Sequence, residues 1–104
     1  MKFRKLSQFD KDYKRLSESE RAAFKAVIRD VFNPACDRYA VERAKFAWPK
    51  SLRFEHLTGT NGVCAITWSF SGPNGRATFE FEDADGEILV VWRRVGRHAI
   101  YKNP

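Results

Sequence analysis

Two cysteines are all that this 104-residue chain contains, and their positions, 36 and 64, match neither a zinc-ligand spacing nor a redox pair. A structural zinc site and a disulfide framework are therefore not expected. Cys64 alternates with Ile66, Trp68 and Phe70, which marks a reduced core thiol rather than a nucleophile. Long apolar runs are missing as well. Nothing reaches the length of a membrane span, and the opening "MKFRKLSQFDK" lacks the apolar centre of a secretory signal. A cytoplasmic location is the expectation, with no membrane partner. Repeats, low-complexity blocks and linkers are absent, so residues 1–104 are read as a single domain. Acid is absent from the closing stretch "WRRVGRHAIYKNP", which instead holds Arg93, Arg94, Arg97 and Lys102, with His98 and Tyr101 close together.

What is present argues for a packed fold. A hydrophobic content of 43%, with nine Phe and three Trp, is incompatible with a disordered chain. The net charge of +6 points to an anionic partner, such as nucleic acid or an acidic protein. "KFRKL" reads as a short opening strand. Ser7 with Asp10, then Ser17 with Glu20, give two successive helix starts. Phe9, Tyr13 and Leu16 line the first helix; Phe24, Val27, Ile28, Val31 and Phe32 form an amphipathic stripe on the second. Asn33-Pro34 is expected to end or bend it. "ACDRYAVERAKFAW" reads as further helix, then a loop at Trp48-Pro49.

Beyond Pro49 the period becomes alternating. "LRFEHL", "VCAITWSF", "RATFEFE" and "EILVVW" read as strands, separated by turn pairs at Asn61-Gly62, Asn74-Gly75 and Asp85-Gly86. "EILVVW" is apolar on both faces, as an interior strand should be. The expected fold is α+β: two N-terminal helices packed on a curved antiparallel sheet.

This order of elements resembles the RelE/ParE superfamily of toxin–antitoxin toxins. "SQFDKDYKRLSESERAAF" is similar to the family's opening helical pair, and "KSLRFEHLTG" to its Leu-rich approach to the second strand. "NGRATFEF" resembles its glycine, arginine and aromatic hairpin, and "RRVGRHAIYK" its basic final strand and closing tyrosine. The resemblance implies a ribosome-associated, metal-independent mRNA endonuclease without a cofactor, neutralised by a cognate antitoxin. Because the family also contains gyrase poisons, a non-catalytic ParE-like inhibitor is the alternative, and a non-toxic relative the third reading.

Metal-free RNA cleavage by the neighbouring 2′-hydroxyl needs a base, an acid and a cation at phosphorus. The resemblance assigns phosphate contact to Arg76 and Arg97, whose planar guanidinium suits phosphate oxygens. His98 is either a proton-transfer group or a strand-end histidine with local hydrogen bonds. Tyr101 either serves the site, by stacking or proton donation, or plugs the core beside Ile100. Lys50, Arg53, Arg93, Arg94 and Lys102 are candidate RNA-binding cations. Strict alternation would turn Arg93 and Arg94 to opposite faces, so at most one is expected at the site. His56 reads as a hydrogen-bonded core or edge histidine, and Glu80, Glu82, Asp83 and Asp85 as a solvated hairpin end. Two departures from the family stand out. Ala65, Thr67 and Ser69 occupy a strand face where ribosome-dependent nucleases carry cations, and Lys50 stands where some members have a glutamate.

Overall fold

The computed structural model describes residues 2–69 and 74–104. Strand β1 (Lys2–Lys5) leads into helix α1 (Ser7–Arg15) and helix α2 (Glu18–Val27). A π-helical segment (Ile28–Phe32) then joins α2 directly to α3 (Asn33–Glu42). Short 3₁₀ turns at Arg43–Lys45 and Lys50–Leu52 precede β2 (Glu55–His56), β3 (Cys64–Ser69), β4 (Asn74–Ala84) and β5 (Glu87–Gly96). A 3₁₀ helix, His98–Lys102, follows. The five strands make one sheet in the order β1-β5-β4-β3-β2. This is an α+β domain, and no helix among the described residues is long and apolar enough to cross a membrane.

The sheet is mixed, not antiparallel throughout. β1 lies parallel to β5, whereas the β2-β3-β4-β5 meander is antiparallel. Hairpin turns dictate antiparallel pairing only between strands they join. No turn joins β1 to β5, and the intervening helices let the chain return in the same direction.

The second helix start matches its sequence signature. The Glu20 amide donates to Ser17 Oγ at 3.1 Å, and the Ser17 amide to Glu20 Oε1 at 2.8 Å, a complete capping box. The first does not. Leu6, not Ser7, occupies the cap position, because its amide is already committed to the Trp92 carbonyl of β5. Nor does Pro34 end the helix. The Asn33 amide reaches back to the Ile28 carbonyl, a wide turn that accommodates a residue with no N–H, and α3 continues to Glu42.

One face of the sheet buries Cys64, Ile66, Trp68, Ala77, Phe79, Val90, Trp92 and Val95 against Phe9, Leu16, Phe24 and Phe32 of the helices. Phe32, fully buried, packs edge-on to Phe79 at 5.1 Å and tilted on Trp92 at 5.1 Å. Val27, Ile28 and Val31 are half-buried at the margin of this core. A second aromatic stack, with Trp48 over Phe54 at 4.3 Å and Tyr39 on Phe81 at 4.7 Å, pins the segment between α3 and β2.

One turn expectation holds and one changes. Asp85 (φ 52°) and Gly86 (φ 80°) do supply the positive φ pair of a tight hairpin. Asn74 and Gly75, however, pair with Ser69 and Trp68 and so begin β4 rather than turn before it. The expected place of Phe70 on the core face lies outside the described residues. "LRFEHL" yields only the two-residue β2, since the 3₁₀ turn and the left-handed Arg53 (φ 44°) precede it.

A bulge in β5 overturns the expected placement of Arg93 and Arg94. Thr78 pairs with Arg94 but Phe79 pairs with Trp92, leaving Arg93 as the extra residue. Alternation is interrupted there, and both guanidiniums reach the last two residues of the chain. Arg93 Nε donates to the Pro104 main-chain oxygen at 3.0 Å, and Arg94 Nη1 to the Asn103 carbonyl at 3.0 Å.

Arg94 also makes a two-pronged ion pair with buried Asp12 of α1, at 2.6 and 3.2 Å, and the Val95 amide donates to the same carboxylate at 3.2 Å. Burial by itself pushes the Asp12 carboxyl up. Hydrogen bonds from Arg94, Gln8 and Val95, with the Arg94 charge, outweigh it and hold the group below its ordinary 3.8. A depressed carboxyl stabilises the fold fully above its unfolded value and loses that effect as pH falls through the folded one. Asp12→Ala is therefore expected to cost roughly 3 kcal/mol at neutral pH, by leaving Arg94 and Val95 without their acceptor. Urea denaturation measures this, and the gap from the parent protein should shrink as pH falls below 3.8.

Candidate functional site

The sheet face opposite the helices carries the candidate site, and residues 98–104 cover it. Ala65, Thr67 and Thr78 point to this side, yet all three are buried. Residues 98–104 are the cover. Thr78 Oγ1 donates to the Pro104 main-chain oxygen at 3.0 Å, beside the contacts from Arg93 and Arg94. Ile100, itself buried, anchors the 3₁₀ helix against Gly96, where a Cβ would stand only 3.0 Å from Ile100 Cγ2. A larger residue at 96 would have to push Ile100 aside by a few tenths of an ångström, so glycine suits this close approach.

So anchored, the terminal helix delivers Tyr101 and His98 to β2, β3 and β4. Glu55 lies opposite Ala65, and Thr67 opposite Arg76, so these side chains share one face. The Tyr101 hydroxyl donates to Glu55 Oε1 at 3.2 Å. The Arg76 guanidinium carbon lies 5.9 Å from the Tyr101 ring centre, and the His98 ring stands at 62° to that ring, 5.2 Å away. Burial, then the Glu55 charge, raises the Tyr101 hydroxyl above its ordinary 10.0; hydrogen bonding with Thr67 and the Arg76 charge act in the opposite direction but do not prevail. Tyr101 is therefore a protonated donor at neutral pH.

Of the four residues assigned to chemistry, Arg76, His98 and Tyr101 converge. Arg97 ion-pairs instead with Glu20, the capping-box glutamate. That carboxyl is held below its ordinary 4.5, first by the Ser17 amide and then by Arg97. Among the RNA-binding candidates, Arg53 lines a cavity of about 60 Å³ with Thr67 and Asn74 at the edge of the site. Exposed Lys50 opens the 3₁₀ turn before it. Lys102 and Arg93 line a polar cleft of about 410 Å³ on the other side of the terminal segment. Arg93 is further engaged by Glu80 at 3.1 Å, and Arg94 by Asp12, so neither is an unencumbered phosphate ligand.

Glu55 is the residue that sequence reasoning missed. Its signal was an acid within the alternating "RFEHL", but its partner Tyr101 lies far along the chain. The hairpin acids are also less idle than expected, since Glu80 and Glu82 pair with Arg93 and Arg4. His56 places Nδ1 3.4 Å from Cys64 Sγ, edge-on to Phe54. Burial pushes the Cys64 thiol up to about 11 and Cys36 up to about 12, so neither is a thiolate nucleophile at neutral pH. Among the described residues, no group of three His, Cys, Asp or Glu side chains gathers to hold a metal.

The arrangement is a hydrogen-bonded carboxylate and phenol flanked by an imidazole and a guanidinium: two groups to move protons, one to relay them and one to hold an anion. No family model matches this chain, and no curated protein or solved structure matches it either.

The raised Tyr101 hydroxyl can be read directly. Ultraviolet titration of the phenols should show one component above 10.0 that disappears in Tyr101→Phe. Glu55→Gln should lower that component without abolishing it, because the carboxylate charge is lost and the burial remains.

Proposed function

We propose that this protein is a RelE-like toxin of the RelE/ParE superfamily, a cytoplasmic, ribosome-associated endonuclease that cuts mRNA without a metal. The contact between the Tyr101 hydroxyl and Glu55, beside Arg76 and His98, carries this reading. Glu55 takes the proton of the 2′-hydroxyl as its oxygen attacks the adjacent phosphorus. Arg76 stabilises the charge that accumulates on the phosphate oxygens. The Tyr101 phenol gives its proton to the departing 5′-oxygen, and His98 restores it. One oxygen–phosphorus bond forms and one breaks, leaving a 2′,3′-cyclic phosphate and a 5′-hydroxyl. The surplus of 19 basic over 13 acidic residues suits both ribosomal RNA and an acidic antitoxin that neutralises the toxin.

A specific observation keeps the second reading in play, a non-catalytic ParE-like inhibitor of gyrase. The β3 face presents Ala65, Thr67 and Ser69 rather than cations, and Arg97 is drawn to Glu20. A slow nuclease and a gyrase poison are both compatible with that deficit of free charge.

Single-turnover cleavage of ribosome-bound message separates them. Glu55→Gln and Tyr101→Phe are each expected to slow cleavage by ~10²–10⁴-fold while binding changes little. Arg76→Ala should impair both steps. Intact message together with inhibited gyrase supercoiling would establish the second reading. Unchanged cleavage in a folded Glu55→Gln, Tyr101→Phe double variant would remove these residues from the chemistry.

A further inference from the structure

The polar cleft beside the terminal segment takes no part in the chemistry above. Arg76, Thr78 and Glu80 alternate along β4 with the core residues Ala77 and Phe79, so all three face the side that carries the candidate site. Arg76, at one end of this row, lies beside Tyr101. Thr78, in the middle, donates to the Pro104 main-chain oxygen. Glu80, at the other end, lines the cleft of about 410 Å³ with Thr60, Val63, Arg93 and Lys102. Arg76 and Glu80 stand roughly 13 Å apart along the strand. A polymer that leaves the Arg76 site along β4, over the terminal segment, arrives in this cleft.

The walls of the cleft are fixed. The Thr60 hydroxyl donates to the Leu57 carbonyl at 2.7 Å and accepts from the Val63 amide at 3.3 Å, which holds the loop before β3 in place. Arg93 is held from two sides: Nε donates to the Pro104 main-chain oxygen at 3.0 Å, and Nη1 to Glu80 Oε2 at 3.1 Å. Both contacts use the edge of the planar guanidinium and leave its flat faces unused. With its charge balanced by Glu80, the immobilised group is a surface for stacking rather than a partner for an ion. Lys102 is the opposite case. It is exposed, has no acidic partner among the described residues, and directly follows Tyr101 on the terminal helix.

We infer that this cleft is a nucleotide subsite for single-stranded RNA, in which a base stacks on the Arg93 guanidinium and the adjoining phosphate meets Lys102. Every base has a flat face, so the subsite holds the strand without choosing its sequence. It anchors the strand away from the bond that breaks, and so supplies binding that the β3 face, with Ala65, Thr67 and Ser69, does not. The inference rests on the nuclease reading for the course of the strand, not for the binding itself.

The test uses the intact protein and labelled 2′-O-methyl oligoadenylates of two and six nucleotides, which keep bases and charges but offer no 2′-hydroxyl to attack. A six-unit abasic strand is the control for charge. The longer oligoadenylate should bind ~10-fold or more tightly than the shorter, the scale of one stacked base. Lys102→Glu should remove that gain and lower the salt dependence by about one phosphate contact. 2-Aminopurine placed in the longer strand should lose fluorescence on the parent protein and keep it on Arg93→Lys, which retains the charge without the flat face. Lys102→Glu should melt like the parent, since Lys102 is exposed, so the test holds even where Arg93→Lys loosens the terminal segment. Equal affinity for the two lengths, unchanged binding by Lys102→Glu, or equal binding of the abasic strand would overturn the inference. The expected binding together with a message that stays whole would uphold the subsite and remove the nuclease reading alone.

Discussion

Arg94 is the side chain on which the arrangement turns. Its two-pronged contact with Asp12 fastens α1 to the end of β5, where β1 has already stopped and the strand edge would otherwise lie open. The same carboxylate accepts from the buried amide of Val95. A third donor of Arg94 holds the Asn103 carbonyl. One guanidinium thus joins the helical layer, the sheet and the terminal segment. Buried ion pairs of this kind contribute little net stability when intact and cost much when broken. Here the contact joins the three parts in one arrangement, the one in which Tyr101 reaches Glu55.

The bulge at Arg93 makes that possible. In a regular strand the two arginines would diverge, and the terminal segment would be held by one of them at most. With Arg93 and Arg94 both reaching main-chain oxygens of residues 103 and 104, and Thr78 adding a third donor, residues 98–104 lie fixed across the sheet. Ile100 against Gly96 sets how closely they lie. Tyr101 reaches Glu55 as a consequence, and its burial against the sheet, with the Glu55 charge, keeps its hydroxyl protonated. The cationic terminus is partly structural, then. Arg93, Arg94 and Arg97 bind the protein's own acids and carbonyls, which leaves Arg76 as the candidate cation beside Tyr101.

Local signals in the sequence translated well into structure. The Ser17–Glu20 capping box, the alternation of Cys64, Ile66 and Trp68, and the Asp85-Gly86 turn each depend on residues close in the chain. Long-range facts did not. The parallel pairing of β1 with β5 depends on where the helices return the chain, and the bulge on what the terminal segment needs from β5. Proline at 34 read as a helix end because the wide π turn that tolerates it has no sequence signature of its own. Ala65 and Thr67 read as an exposed face because nothing in β3 reveals that residues 98–104 lie over it. Glu55 went unnoticed for the same reason. The convergence of Arg76, His98 and Tyr101, by contrast, followed residues already singled out for their chemistry.

The central claim is that the face under the terminal segment cuts RNA by directing a 2′-hydroxyl at its neighbouring phosphorus. A message with a single 2′-deoxynucleotide at the cleavage position tests this most directly, since the substitution removes the nucleophile and leaves the binding charges in place. The account predicts that cleavage stops at that position while binding persists, and that the all-ribose message yields a 2′,3′-cyclic phosphate. Continued cutting at the deoxy position, or an all-ribose message left whole on the ribosome, would contradict it.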